Sequence, residues 1–185
     1  LADEIAYNAH DIDDGVRSGL LTLQQVAEVP LFARFVAQTR RDHPGLTDRR
    51  VLYESIRRML SAQVYDVIDT TGGALAAAAP QDADAARRSG PLVAFSAGMR
   101  AESAELKRFL FANLYRHPQV MDTTSQARQV VRELFAVYCQ RPHELRPSFA
   151  ERPDRERAVA DYIAGMTDRF ALREHERLTG QRLLT

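Results

Sequence analysis

The chain has 185 residues, with 25 Lys and Arg against 25 Asp and Glu. This length suits one domain or one lobe of a larger protein, and the balanced charge excludes a global attraction to polyanions or to a membrane surface. The single cysteine, Cys139, excludes an intramolecular disulfide framework. Since the sequence also shows no signal peptide and no long apolar run, it predicts a cytoplasmic protein without a membrane partner.

Apolar residues recur at helical rather than strand spacing along most of the chain, which predicts an all-α fold. Gly19 suits the end of the first helix and Pro30 the start of the third. Thr47 is the expected N-cap of the fourth helix, and Gly72-Gly73 its expected end. The predicted helices, in chain order, are 2–18, 22–28, 30–42, 47–70, 99–117, 123–140 and 153–179.

Two segments interrupt this helical pattern. Residues 74–91 are Ala-rich with Pro and Gly, and they are expected to form a mobile insertion or a weak surface helix. Residues 141–152 hold two prolines and predict a loop. In the last predicted helix, Gly165 is expected to allow close packing against another helix, because glycine is otherwise unfavourable in a helix interior. Because the chain starts at Leu1, directly on a helical motif, we expect it to be a piece of a longer protein.

The first helix carries a polar stripe. Asp3, Tyr7 and Asp11 lie four residues apart and so share one face, with His10 and Asp14 beside them. One explanation is a binding site that needs polar groups. The other is a solvated face, on which acids near the helix start simply face water, and spacing by itself favours this second explanation.

The letters of this segment are more specific than its spacing. The string DEIAYNAHDIDDGVRSGLL resembles a segment of deoxyguanosine-triphosphate triphosphohydrolases of the HD-domain superfamily, with the form D-E/D-I-A/S-Y-x-x-x-D-x-D-D. RERAVADYIAGMTDRFAL resembles a second family segment, and ELKRFLFANLYRHPQV resembles the family's inner helix with a basic residue and a tyrosine. The three follow in family order and span most of the chain.

The resemblance implies a fold and a division of the chain. It implies the C-terminal portion of an all-helical HD-domain bundle. Residues 1–20 would be the last active-site helix, 21–73 a helical subdomain and 74–91 a flexible insertion, while 92–185 would complete the substrate pocket. The implied reaction is metal-dependent hydrolysis of dGTP, or of other dNTPs, to deoxynucleoside and inorganic triphosphate.

The resemblance also implies a metal ligand. HD enzymes bind their metal through two His and two Asp, and Asp3 matches the last Asp of that pattern. The implied cofactor is a divalent metal, Mg²⁺ or Mn²⁺ first, with Fe, Co or Ni as alternatives. His10 matches no ligand position and is expected to be a hydrogen-bonded histidine of the helix face. Because the His and His-Asp ligands are missing, this chain alone is expected neither to bind the metal tightly nor to hydrolyse nucleotide.

Four further positions are implied to bind the substrate. Tyr7 and Asp11 match positions that line the deoxyribose, whereas Lys107 is implied to face the triphosphate and Tyr115 the sugar or phosphate. A carboxylate that accepts from the 3′-hydroxyl, beside an aromatic ring, would select a deoxynucleotide. The alternatives are structural, namely core tyrosines and an exposed acid or lysine.

Two other classes of function stay open at this point. The chain could be a helical interaction or oligomerisation module whose acids are only surface groups, and a homo-oligomer is expected on the resemblance in any case. It could also be a lobe that binds single-stranded nucleic acid or a nucleotide effector, through the Arg-Arg pairs at 40–41, 49–50, 57–58 and 87–88. Scattered arginine on helices is more often a solvated face.

Overall fold

The structure is a computed structural model that describes residues 1–183. Within these residues all regular structure is helical, which confirms the all-α prediction. The chain divides into two compact units, Leu1–His117 and Pro118–Thr185. This boundary falls inside the segment 92–185, so residues 92–117 belong to the first unit.

The first unit is a bundle in which α1, α3, α4 and α6 pack on one another. Its core includes Phe32 of α3, Met59 of α4 and Leu106 of α6, all fully buried. A turn of π-helix, Phe111–Tyr115, directly follows α6. The α-helices of this unit are α1 Ala2–Arg17, α2 Leu23–Val26, α3 Pro30–Asp42, α4 Asp48–Ala78, α5 Ala83–Arg88 and α6 Ala97–Leu110.

Local sequence explains most of these boundaries. Thr22 forms a capping box with Gln25 at the start of α2. Pro30 occupies the first turn of α3, as predicted, because its missing N–H would be unpaired there anyway. Gly19 has a φ of 78°, a left-handed conformation that glycine adopts without strain, and it follows the end of α1.

The predicted end of the fourth helix at Gly72-Gly73 is wrong. Helix α4 begins after Thr47 as expected, although the Thr47 side chain makes no capping hydrogen bond, but it continues to Ala78. The alanines that follow the two glycines have the highest helix propensity of any residue and offset the cost of the glycines. Part of the segment 74–91 is therefore helical, and α5 adds a further short helix.

The second unit packs α7 against α9 and α10. Tyr138 of α7 lies in its core, fully buried, and its ring meets Tyr162 of α9 edge to face with centroids 5.3 Å apart. The Tyr138 hydroxyl donates to the Glu174 carboxylate at 2.9 Å, so the buried phenol is not left unpaired. The elements are α7 Pro118–Gln140, a 3₁₀ turn Pro142–Glu144, α8 Pro147–Ala150, α9 Arg155–Ala164 and α10 Asp168–Thr179.

The structure corrects three predictions for this unit. The single helix 153–179 is broken, because α9 ends at Ala164 with Gly165 as its C-cap, and Thr167 starts α10 by accepting a hydrogen bond from the Phe170 N–H. Gly165 does not allow a close helix contact either. A Cβ there would lie 3.6 Å from two carbonyl oxygens of its own helix and within 4 Å of no other element in the described part of the chain. The predicted loop 141–152 contains short helical turns.

Candidate functional site

In the first unit, α1 and the end of α6 with its π turn line an open cavity of about 540 Å³. This volume lies within the usual range of small-molecule sites. Helix α1 lines the cavity with Asp3, Glu4, Tyr7, Asn8 and Asp11. The second segment lines it with Lys107, Leu110, Phe111 and Tyr115. The structure thus brings all five residues proposed from the sequence to one cavity, although about 100 positions separate the two groups.

At one end of the cavity a hydrogen bond joins the two segments. The Tyr115 hydroxyl donates to Asp11 Oδ2 at 2.7 Å. This bond to the carboxylate, together with partial burial, raises the pKa of Tyr115 to about 12. At neutral pH the phenol therefore keeps its proton and holds the Asp11 carboxylate in a fixed orientation.

The other end carries a weak ion pair. Lys107 Nζ lies 3.4 Å from Glu4 Oε1, and the two side chains are 65% and 38% exposed. An exposed pair of this kind contributes little stability, because both charges are well solvated and two flexible side chains must be ordered. The ammonium is therefore available to a stronger anion that enters the cavity.

Aromatic rings stand exposed on the cavity wall. Tyr7 is 59% and Phe111 54% exposed, which is high for such large side chains. The Arg116 guanidinium lies 4.9 Å from the centre of the Phe111 ring, a cation–π distance. Exposed aromatic groups that line a concavity offer flat surfaces for a sugar or a base.

The π turn determines which way Tyr115 faces. With α-helical rotation of roughly 100° per residue, Tyr115 would lie about 80° around the axis from Lys107, eight residues earlier. The wider turn, in which the Arg116 N–H donates to the Phe111 carbonyl at 3.1 Å, rotates each residue less and brings Tyr115 back toward the Lys107 face. The Asn113 side chain donates to the Phe109 carbonyl at 2.9 Å, an added bond where the helix ladder changes. The predicted regular helix 99–117 is therefore wrong at this end.

The described residues of this chain do not fit a metal ion by themselves. Asp3 is exposed at the edge of the cavity, and residues 1–183 contain no group of three His, Cys, Asp or Glu side chains placed to hold a metal. Asp3 can supply one ligand at most. His10 is exposed and does not line the cavity, and no hydrogen bond to its ring was found among the described residues.

Two polar residues of the cavity, Glu4 and Asn8, had not been predicted as site residues. Glu4 is one of the acids near the helix start, which a solvated helix face would equally explain. Asn8 interrupts the apolar stripe formed by Ile5 and Ile12, and an amide at a core position was a signal that could have found it. It is 4% exposed, and its Nδ2 has no hydrogen-bond partner within the described chain.

Arginine pairs elsewhere are largely neutralised by acids. Arg57 and Arg58 both bind Glu54, at 2.6 and 2.7 Å, and Arg40 lies 3.3 Å from Asp48. These contacts agree with a solvated face rather than with a free basic surface. In residues 1–183 no helix combines the length and the apolar character that crossing a membrane requires.

Comparison with known proteins supports the sequence resemblance. The chain is 51% identical over 180 residues to a deoxyguanosinetriphosphate triphosphohydrolase-like protein of Bordetella pertussis, an alignment that covers 96% of this chain and 47% of that protein. This confirms the resemblance. Proteins of the same description from Ralstonia nicotianae and Thiobacillus denitrificans are 50% and 47% identical, each over 96% of this chain and over 46% and 48% of their own lengths.

A family model points the same way. Residues 93–177 match the phosphohydrolase-associated domain. The matched residues include Lys107 and Tyr115, on the second wall of the cavity. The chain spans about half the length of the curated triphosphohydrolase-like relatives that it matches.

Proposed function

We propose that the cavity binds the sugar and triphosphate of a deoxynucleoside triphosphate, dGTP first. The protein to which this chain belongs would hydrolyse that nucleotide to deoxynucleoside and inorganic triphosphate. The observation that carries the proposal is the composition of one cavity, which joins a phenol–carboxylate pair and an exposed aromatic ring to a loosely paired lysine. A nucleotide has a matching order of groups, with hydroxyls on a sugar followed by a chain of phosphate charges.

The Asp11 end suits the sugar. Tyr115 occupies Oδ2 of the carboxylate, and Oδ1 accepts no hydrogen bond from the described residues. It can accept one from the 3′-hydroxyl of a bound nucleotide. The Tyr7 ring beside it would pack against the sugar and leave little room for a 2′-hydroxyl, which favours a deoxynucleotide over a ribonucleotide.

The Lys107 end suits the phosphates. A triphosphate carries several negative charges, and an ammonium that exchanges one distant carboxylate oxygen for phosphate oxygens gains shorter, charge-assisted bonds. Glu4, once released, would stay in water at low cost because it is already partly exposed.

The metal is part of the proposal for the protein as a whole. Asp3 would give one carboxylate ligand to a divalent ion such as Mg²⁺ or Mn²⁺, and the remaining ligands would come from residues that this chain does not contain. Such an ion would supply Lewis-acid chemistry at a phosphate. The residues of this chain would orient the nucleotide.

The test is release of inorganic triphosphate from the four dNTPs and from GTP by the intact protein, with Mg²⁺ or Mn²⁺. We expect release from dGTP at least, with GTP a poor substrate. Asp11→Ala should lower kcat/KM by tenfold or more. Asp14→Ala is the matched control, because Asp14 lies on the same helix, pairs with Arg17 at 2.6 Å and does not line the cavity. The proposal is wrong if no nucleotide yields triphosphate, or if both variants behave like the wild type.

A further inference from the structure

Asn8 is the one buried polar residue of the cavity wall whose side chain lacks a protein partner, among the residues that the structure describes. It is 4% exposed, and its Nδ2 is shut off from solvent with no hydrogen-bond partner, whereas its Oδ1 is not among the shut-off atoms of the described residues. Buried amide groups in folded proteins are nearly always paired with protein, water or ligand. Asn8 has no such partner in the described protein, so the end of its carboxamide that meets the cavity is open to a partner that enters the cavity.

The position of Asn8 along α1 identifies the part of the cavity that it serves. It lies one turn after Glu4, which pairs with Lys107, and three residues before Asp11, which pairs with Tyr115. On a helix these residues are neighbours on adjoining turns. Asn8 thus lies along α1 between the residues of the two ends and is more buried than any of them, as is Leu110 on the second wall of the cavity.

We propose that the Asn8 carboxamide donates a hydrogen bond to the nucleotide at the junction between its deoxyribose and its first phosphate. This inference rests on the proposed function, which assigns the sugar to the Asp11 end and the phosphates to the Lys107 end. Acceptor oxygens dominate that part of a nucleotide. The donation requires half a turn of the carboxamide, which exchanges its nitrogen and oxygen with almost no change of shape. The nitrogen then meets the cavity, and the oxygen takes the shut-off position, where an unpaired carbonyl is tolerated better than an unpaired N–H group.

Replacement of Asn8 by leucine separates binding from folding. Leucine has nearly the same volume but no polar atoms, so Asn8→Leu removes the hydrogen bond and also the unpaired amide. We expect the ligand-free variant to melt at the same temperature as the wild type or above it, because an unsatisfied buried group has been removed. We expect its affinity for dGTP to fall by about fivefold or more, the usual loss for one hydrogen bond.

Affinity for dGTP is measured on the intact protein by equilibrium dialysis with Mg²⁺ and a radiolabelled, non-hydrolysable analogue of dGTP, so that no turnover occurs, and stability is measured by thermal melting without nucleotide. Gln63→Leu is the matched control. Gln63 is also a fully buried carboxamide with one unpaired end, Oε1, but it bonds Ser103 at 3.1 Å and does not line the cavity. It should change the melting temperature and leave dGTP affinity unchanged. Asn8→Ala provides a second variant if the leucine is not accommodated.

The outcomes separate the two proposals. If the wild type binds dGTP and Asn8→Leu binds it equally well, Asn8 is not a ligand-binding residue, while the proposed function stands. If Asn8→Leu loses both affinity and stability, and Gln63→Leu shows the same proportional loss of both, the loss of affinity follows from the loss of stability. Asn8 is then a structural residue, and the inference is overturned. A wild type that binds no dGTP overturns the proposed function, and the role of Asn8 with it.

Discussion

The hydrogen bond from Tyr115 to Asp11 joins the two walls of the cavity, and its removal should weaken the first unit measurably. A hydrogen bond to a charged group contributes roughly 1.5–3 kcal/mol. Tyr115 is 47% exposed, so water competes for both groups and the value should be lower. We expect about 1 kcal/mol for Tyr115→Phe, and a coupling energy of about 1 kcal/mol between Tyr115→Phe and Asp11→Ala in a double-mutant cycle.

Native-state hydrogen exchange of the α1 amides is the assay, because it reports opening of the first unit without assuming that the two units unfold together. Tyr65→Phe serves as the control, since Tyr65 is 65% exposed on α4 and does not line the cavity. It should change the free energy of opening by less than about 0.5 kcal/mol. A coupling energy below about 0.5 kcal/mol between Tyr115 and Asp11 would refute the reasoning.

The pH dependence gives a second readout of the same bond. The pKa of Tyr115 is raised from 10.0 to about 12, so the folded state holds the phenolic proton more tightly than the unfolded state does. The stabilisation is complete below pH 10 and is lost as the pH rises through 12. In an ultraviolet titration, Asp11→Ala should move one tyrosine toward its ordinary pKa. An unchanged titration would contradict the assigned bond.

Three further predictions concern stability. Tyr138→Phe should destabilise the second unit by about 1.5 kcal/mol in chemical denaturation, because the hydrogen bond to the Glu174 carboxylate is lost while the ring still fills the core. Gly15→Ala should destabilise the first unit by about 1 kcal/mol. The Cβ of the new alanine would lie 2.7 Å from the buried Leu21 side chain. The cost of this overpacking, about 2 kcal/mol, exceeds the gain of about 1 kcal/mol from the higher helix propensity of alanine. Glu54, whose pKa two arginines lower from 4.5 to about 2, should stabilise the protein fully above pH 4.5 and progressively less as the pH falls toward 2. Melting curves of Glu54→Gln should therefore converge with those of the wild type in acid.

Helices with a strong, locally capped pattern could be predicted from the sequence. The first helix was predicted as 2–18 and spans Ala2–Arg17, and the third was predicted as 30–42 and spans Pro30–Asp42. Each has a clear apolar stripe and a terminal glycine or proline. The errors arose where two local signals compete. Gly72-Gly73 do not end α4, because the alanines that follow them favour a helix. Gly165 does mark the end of a helix, because Thr167 can start the next one.

The candidate site was predictable to the extent that family motifs mark it. Asp3, Tyr7, Asp11, Lys107 and Tyr115 were chosen from resemblance, and all line one cavity. Periodicity alone would not have chosen them, because exposed carboxylates and tyrosines are common on helices. The contacts of Glu4 and Asp11 with residues about 100 positions away depend on tertiary packing, and the π turn that aims Tyr115 has no clear signature in the sequence.

The cavity walls come from the first helix and the last segment of the same compact unit. Bringing such distant segments together costs loop-closure entropy, which the packing of the intervening helices has to offset. A molecule bound there would contact both segments and so hold the two ends of the unit together. By linkage, a ligand present at a hundredfold excess over its Kd would add about 2.7 kcal/mol to the stability of the closed form. Such a ligand would thereby set how long α1 resists unfolding and proteolysis.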